Sequence, residues 1–349
     1  MKELPRKLLF CGDVLRASPD FQFYGANVRW IEAVFRGSLA DLFDEVAASD
    51  RSLPTMSYPE LYDRLYGERG EGVRDRWASI YDGRPAPDAF GSLVKDLFSG
   101  CFLFIFECAP SMLDALNELG IPFIDVRVHP VRFLGDLVLS FHSNVPSIRR
   151  RIEKFRLSRD FIAAEVNYTR GRFANLDTDV EEEAIVFFSQ MSFDATTIHN
   201  GSFVTVGQHR ETLRTLVGDR PTWIKPHPNE PDSRITREWM EVFPTSRVTH
   251  SNTYHLLARS RSLHIITISS STGCEAEFFG HKATYLSPKN LGLASGFHEN
   301  YTPVLFHYWH PEFWRFVFRD SPFQFDLGSH AFVPDRLRKV IGEQWSKTF

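Results

Sequence analysis

Residues 101–111 read Cys101-Phe102-Leu103-Phe104-Ile105-Phe106-Glu107-Cys108-Ala109-Pro110-Ser111, and this stretch decides the fold. Six consecutive apolar residues, rich in aromatics and closed by a charge and a proline, are too few for a buried helix. They lack the alternation of a strand with one wet face, so they suit a strand covered on both sides in a parallel sheet. Met112 to Leu119 then carries a helical pattern, with Gly120 as its stop. Ile121 to Val128 is apolar again and reads as the next strand. Strand, helix and strand at this spacing form a βαβ unit, whose strands are parallel and whose crossover is right-handed.

The same reading extends outward in both directions. Lys7 to Cys11 is a first strand ending at Gly12-Asp13, and the polar region from about Ala47 to Pro87 is helical with loops. From Pro146 to Glu183 the chain is charged and helical in pattern, ending in the acidic run Asp177 to Glu183. Ile185 to Phe188 (IVFF) opens a second α/β series: a helix containing Glu211 to Val217, then strand Thr222 to Lys225 and strand His264 to Ser269. Helix Gly273 to Phe279, strand Ala283 to Leu286 and an amphipathic helix Pro334 to Trp345 complete it. The expectation is an α/β protein of two Rossmann-like domains, residues 1–183 and 184–349, with a cleft between them. The final helix is expected to pack back on the first domain.

Composition narrows the function classes. A chain of 349 residues is long enough for two separate cores, and 43% hydrophobic with 24% charged residues is a globular balance. A net charge of −4 argues against a broad nucleic-acid surface. Cys11, Cys101, Cys108 and Cys274 form no CxxC pair and no His/Cys grouping of zinc type, so reduced thiols in the cytoplasm are expected. The N-terminal apolar stretch is short and broken by Asp13, which reads as a strand and not a signal peptide. No apolar run approaches a membrane span, so any membrane contact is expected to be peripheral.

In open parallel sheets, ligands sit beyond the carboxyl ends of the strands. Four motifs follow strands directly. Lys225-Pro226-His227-Pro228-Asn229 holds an imidazole between two prolines, where it can donate to a phosphate; the alternative is an ordinary proline-rich turn. Ser269-Ser270-Ser271-Thr272-Gly273-Cys274-Glu275 places four hydroxyls at a helix start, an anion site; the alternative is N-capping, which needs one hydroxyl. Glu275 can accept from ribose hydroxyls. Gln190-Met191-Ser192-Phe193-Asp194 puts a carboxylate at the rim, able to attack an anomeric carbon or to cap a turn. Glu107 is a candidate general acid or base, or a solvated loop carboxylate, and Arg127, His129 and Arg132 can bind an anionic acceptor or form ion pairs. Asp177-Thr178-Asp179 precedes a strand within the acidic run, so a solvated segment is favoured over a metal site there.

QxxxD, then KPHP, then SSxTGxE, each after a strand, resembles the bacterial retaining β-Kdo transferases of capsule and O-antigen assembly. FECAPSM and VHPVRFLGD are similar to those enzymes' acceptor-side segments. The resemblance covers short motifs between about Cys101 and Leu286. It implies a GT-B fold and a CMP-Kdo donor. His227 would contact the CMP phosphate with Lys225, Ser269, Ser270, Ser271 and Thr272 around it, and Glu275 would hold the ribose. Asp194 would be the nucleophile, Glu107 the acid/base group, and His129 and Arg132 would face a glycan or lipid-linked acceptor. A single phosphate in CMP removes the need for a bridging metal, so no cofactor is expected. The resemblance also implies a cytoplasmic enzyme that can meet the inner membrane or an assembly complex peripherally.

Three other readings share part of this pattern. A CDP-glycerol or CDP-ribitol phosphotransferase would use the same cytidine-nucleotide residues without Asp194 as nucleophile. A CMP-sialic acid transferase would share the His-Pro and serine motifs. A degenerate GT-B module would bind glycans without catalysis.

Overall fold

The computed structural model describes residues 4–23, 25–82, 88–173, 177–259, 262–287 and 300–319. It is a mixed α/β protein, and among the described residues its strands fall into two main sheets plus a short hairpin. In chain order the strands are β1 (Lys7–Gly12), β2 (Glu45–Ala48), β3 (Cys101–Phe106), β4 (Phe123–Val128), β5 (Leu139–Ser143) and β6 (Ile185–Phe188). They continue as β7 (Ile198–His199), β8 (Ser202–Phe203), β9 (Thr222–Lys225), β10 (Arg247–Val248), β11 (His264–Thr267), β12 (Lys282–Tyr285) and β13 (Thr302–Val304).

The chain divides into two compact units. One contains residues up to His129, Gly135–Leu157 and the chain from Asn300; the other contains Pro130–Leu134 and Ser158–Glu299. The division after Leu157 differs from the 183/184 boundary read from the acidic run. Helix Arg159–Arg172 packs on helices Thr253–Arg259 and Ser271–Phe278 of the second unit, and Arg170 Nη2 donates to the Phe279 carbonyl at 2.6 Å. An acidic run marks exposure and need not mark a boundary. The helix expected from Pro334 to Trp345 lies outside the described residues. The described chain from Asn300 to Arg319 does belong to the first unit, where β13 pairs antiparallel with β5.

The first unit's sheet has the order β13-β5-β4-β3-β1-β2. β2, β1, β3 and β4 are parallel, while β5 and β13 add antiparallel strands that a purely Rossmann-like reading did not include. β3 sits in the middle and every one of its residues is buried, which its unbroken apolar run requires. On one face Leu8, Phe10, Phe102, Phe104, Ile124 and Val126 pack against Phe35, Ile148 and Trp314 from three helices. The period of two then sends Asp125 and Arg127 together to the opposite face of β4.

The second sheet is all parallel, in the order β10-β9-β6-β11-β12. Its core is built on Ile185, Phe187, Ile224 and Ile266, against Leu213, Ile235 and Trp239. Phe187 stacks on Trp239 with ring centroids 4.2 Å apart. Each sheet reverses its winding once. In the first unit β2 lies on one side of β1 and β3 on the other; in the second, β9 and β11 flank β6. Neighbouring strands at these reversals send their chains in opposite directions, which opens a crevice at their carboxyl ends.

Gly25, preceding the helix Ala26–Leu39, shows how tightly the first unit is closed. A Cβ there would lie 2.1 Å from the Asp50 carbonyl oxygen, whereas one at Gly37 in the same helix would meet nothing within 4 Å. Gly25→Ala is therefore expected to cost about 2 kcal/mol or more through a forced backbone shift. Gly37→Ala is expected to stabilise by about 0.5–1 kcal/mol through helix propensity. Urea titrations of the two variants check this, and equal effects would contradict the packing described.

Candidate functional site

In the second unit the reversal between β6 and β11 is bridged by one side chain. Gln190, buried just past β6, accepts the Ser269 N–H at 2.8 Å through Oε1, which also takes the Thr267 hydroxyl at 3.2 Å. Its Nε2 donates to Ser269 Oγ at 3.2 Å and to Thr196 Oγ1 at 3.3 Å. The serine run is sorted by this contact. Ser269 points inward to Gln190, and Ser270 is the N-cap of the helix Ser271–Phe278, accepting the Thr272 N–H at 3.3 Å. That helix begins two residues before the Gly273 start expected from sequence, so Ser271 and Thr272 lie in its first turn. Its amide-rich end and the Ser270 and Thr272 hydroxyls lie at the strand terminus, an arrangement that can accept an anion.

Asp194 stands on the other side of Gln190. Its Oδ1 accepts the Thr196 N–H at 2.9 Å and the Thr196 hydroxyl at 3.0 Å, so it caps the short turn Ala195–Thr197. Gln190 and Asp194 are thus joined through Thr196, which explains their spacing. Ser192 between them gives its N–H and hydroxyl to the Glu230 carboxylate. Glu230 in turn donates its own N–H to the His227 carbonyl at 3.1 Å, tying the loop after β9 to the loop after β6. His227 Nδ1 accepts the Asn229 N–H at 3.3 Å. In the neutral ring the proton is then on Nε2, which is the donor.

Two expected ligand contacts are placed differently. Lys225 donates from Nζ to the Ser251 carbonyl at 2.6 Å, and desolvation pulls its ammonium below the usual range despite Asp179 nearby. Asp179, part of the DxD sequence, accepts the Thr249 hydroxyl at 2.7 Å and the Ser251 hydroxyl at 2.5 Å. Desolvation works against its charge, but those hydroxyls hold the carboxyl low. Glu275 is 2% exposed, and its Oε1 accepts the Arg132 N–H at 2.7 Å and the Tyr254 hydroxyl at 3.1 Å. The carboxylate expected to hold a ribose therefore anchors the segment Pro130–Leu134. Arg132 belongs to the second unit, whereas His129 belongs to the first and gives its N–H to the Val138 carbonyl. Gly273 is required here: a Cβ would lie 2.6 Å from the Tyr285 ring.

In the first unit the reversal lies between β1 and β3, which are in register through Gly12 and Phe106. Asp13 and Glu107 follow at the two strand ends. Glu107 is exposed and has φ of 55°, a left-handed conformation that costs a non-glycine residue on the order of 1 kcal/mol. Behind it, Cys108 gives its N–H to Asp125 Oδ1 at 2.9 Å, and its carbonyl accepts Arg127 Nη2 at 2.5 Å. Arg127 Nε pairs with Asp125 Oδ2 at 2.9 Å, and Tyr301 donates to the same oxygen at 2.6 Å. Arg127 is thus part of a buried ion pair, not a surface one. Asp13 accepts the Leu15 N–H at 3.1 Å, and desolvation pushes its carboxyl up to about 6, against that bond and the nearby Arg16, Trp77 and Arg127.

The structure brings Gln190, Asp194, Ser269, Ser270, Thr272 and, through Ser192 and Glu230, His227 into one connected network in the second unit. Sequence reading missed Asp13, Asp125, Tyr301 and Glu230. The Gly-Asp at the end of the first strand was the visible signal for Asp13, whereas Tyr301 arrives from a distant segment and left none. Among the described residues no group of three or more His, Cys, Asp or Glu side chains is disposed to hold a metal ion, and no helix is long and apolar enough to cross a membrane.

The raised Asp13 carboxyl has a pH consequence. An unfolded aspartate titrates near about 3.9, so between about 4 and 6 the folded protein holds more protons than the unfolded chain. The stability contributed by this group is complete below about pH 4 and is lost as pH rises through about 6. Asp13→Asn is expected to flatten that part of a Tm-versus-pH curve. An unchanged slope would remove Asp13 as its source.

No family model matches the chain, and no curated protein matches it. Among solved structures it is similar to KpsC of Thermosulfurimonas dismutans, a β-Kdo 2,7 transferase. The TM-score is 0.38 at 12% identity, covering 80% of this chain and 78% of that chain. At that level the likeness is a distant structural relationship.

Proposed function

We propose that this chain is a glycosyltransferase of the GT-B type, moving Kdo or a related 2-keto sugar acid from its CMP form to a glycan or lipid-linked glycan acceptor, with retention. The observation that carries this reading is the bridged β6/β11 reversal. There a helix N-terminus with two hydroxyls, a carboxylate and an imidazole loop are held together by Gln190 and Glu230. The Ser270–Thr272 helix start receives the CMP phosphate, and His227 Nε2–H supplies a second donor to it. Lys225, held on the Ser251 carbonyl, adds positive potential from behind, and Glu275 positions the Arg132 segment.

Transfer then runs in two displacements. The Asp194 carboxylate oxygen bonds to the anomeric carbon as that carbon's bond to the phosphate oxygen breaks, and the bonding pair leaves with CMP. An acceptor hydroxyl next attacks the anomeric carbon while its proton passes to Glu107. The Asp194 ester bond breaks and returns the carboxylate, so two inversions give net retention. A single phosphate on the leaving group needs no metal bridge. A lipid-linked acceptor would bring the chain to a membrane peripherally.

A second reading has its own observation. The Thr196 contacts give Asp194 a complete structural role as a cap. A CDP-glycerol or CDP-ribitol phosphotransferase would keep the anion seat and need no nucleophile at that position.

A nucleotide-release assay with CMP-Kdo, CMP-sialic acid and CDP-glycerol separates the readings. CMP-Kdo is the expected donor, and release from CDP-glycerol alone would favour the phosphotransferase. His227→Ala is expected to weaken CMP binding about 10- to 100-fold, the worth of a charge-assisted hydrogen bond. Asp194→Ala is expected to abolish transfer with CMP affinity unchanged, while near-normal turnover in Asp194→Asn would overturn the covalent mechanism. EDTA is expected to leave the rate unchanged, and inhibition reversed only by added metal would count against this reading.

A further inference from the structure

The buried pair beneath Glu107 has a geometry that a stability role alone does not call for. Asp125 is fully buried and the Arg127 side chain is 13% exposed, so both charges are largely removed from water. Replacing such a pair with apolar residues of similar shape is often neutral or stabilising, so its presence points to the specification of a geometry. What the pair specifies can be traced bond by bond. Asp125 and Arg127 grip the N–H and the carbonyl of Cys108, the residue immediately after Glu107. With the Glu107 N–H donating to the Val126 carbonyl at 2.9 Å, the backbone on both sides of the Glu107 side chain is fixed. Glu107 is held in a left-handed conformation that its own side chain disfavours.

Tyr301 closes this arrangement. Its hydroxyl donates to Asp125 Oδ2 at 2.6 Å and lies 2.9 Å from Arg127 Nε, while its ring lies 5.1 Å from the guanidinium carbon. Tyr301 is itself anchored, since Arg156 donates to its carbonyl at 3.3 Å and to Thr302 Oγ1 at 3.2 Å. It enters the unit on the segment that forms β13, far in sequence from β3 and β4.

We infer that Tyr301, Asp125 and Arg127 are positioning residues for the acceptor step: they hold the Glu107 carboxylate where it receives the acceptor hydroxyl's proton. The inference rests on the reading of Glu107 as the acid/base group. It adds that the segment returning to the first unit completes that group's placement.

The test compares Tyr301→Phe with Glu107→Gln in the full chain, using CMP-Kdo as donor. Tyr301→Phe keeps the ring beside Arg127 and removes only the hydroxyl. The expected result is a kcat about tenfold or more below the parent, with donor KM and CMP affinity unchanged. Intact-protein mass spectrometry should then show sugar-modified protein accumulating in both variants, because the first displacement proceeds and the second is slowed. A general loss of stability would lower turnover without accumulating the adduct. Asp125→Asn, which keeps the side chain's shape and one acceptor oxygen, carries the same test should Tyr301→Phe not fold. Adduct in Glu107→Gln beside wild-type turnover in Tyr301→Phe overturns the positioning role alone. Absence of adduct in Glu107→Gln overturns the acid/base reading and this inference with it.

Discussion

Parallel pairing constrains both units in the same way. Each strand's chain must leave at one end and return through a crossover to the other. Wherever the direction of winding reverses, two neighbouring strands part company at their carboxyl ends. β1 and β3 do so in the first unit, and β6 and β11 in the second. Apolar strands such as β3 and β6 make these reversals stable because both faces of each sheet are covered. The crevice they leave has exposed amide and carbonyl groups that only polar side chains can satisfy. Gln190 stands at one of those two places, and Asp13 and Glu107 follow the strand ends at the other.

The two reversals are filled differently. Between β6 and β11 a neutral amide does the bridging, and Gln190 uses both its carbonyl and its NH2. A neutral bridge adds no charge beside the helix start at Ser271. Beside the β1/β3 reversal, on the neighbouring β4, the supports are ionic, and the Asp125–Arg127 pair neutralises itself. Near it Asp13 retains its proton to higher pH because desolvation outweighs its hydrogen bond. The second unit's reversal is thus bridged by neutral groups, while the first unit holds a buried ion pair and a carboxyl raised by burial.

Glu275 and Lys225 show how position within a motif differs from role. Both sit in sequences that match a nucleotide-binding pattern, yet both side chains are engaged inside the second unit. Glu275 is held by Arg132 and Tyr254, and Lys225 by the Ser251 carbonyl.

The sequence by itself determined the α/β class, the central strands and the residues that follow them, because unbroken apolar runs ending in polar turns have one economical reading. CFLFIF, IVFF and TWIK lie where that reading puts them, and the strand expected over His264 to Ser269 ends at Thr267. β2, β5, β7, β8, β10 and β13 were not read from the sequence; apart from β5, these are two to four residues long and too short to carry a periodic signal. Only the tertiary structure decided the rest. It sorted Ser269 from Ser270, because one hydroxyl meets Gln190 and the other a helix end. It moved Arg132 and helix Arg159–Arg172 into the second unit through contacts with residues distant in the sequence. It also joined Tyr301 to Asp125 and Arg127. Local propensity is written residue by residue, but a hydrogen bond between distant segments exists only once the sheets have brought them together.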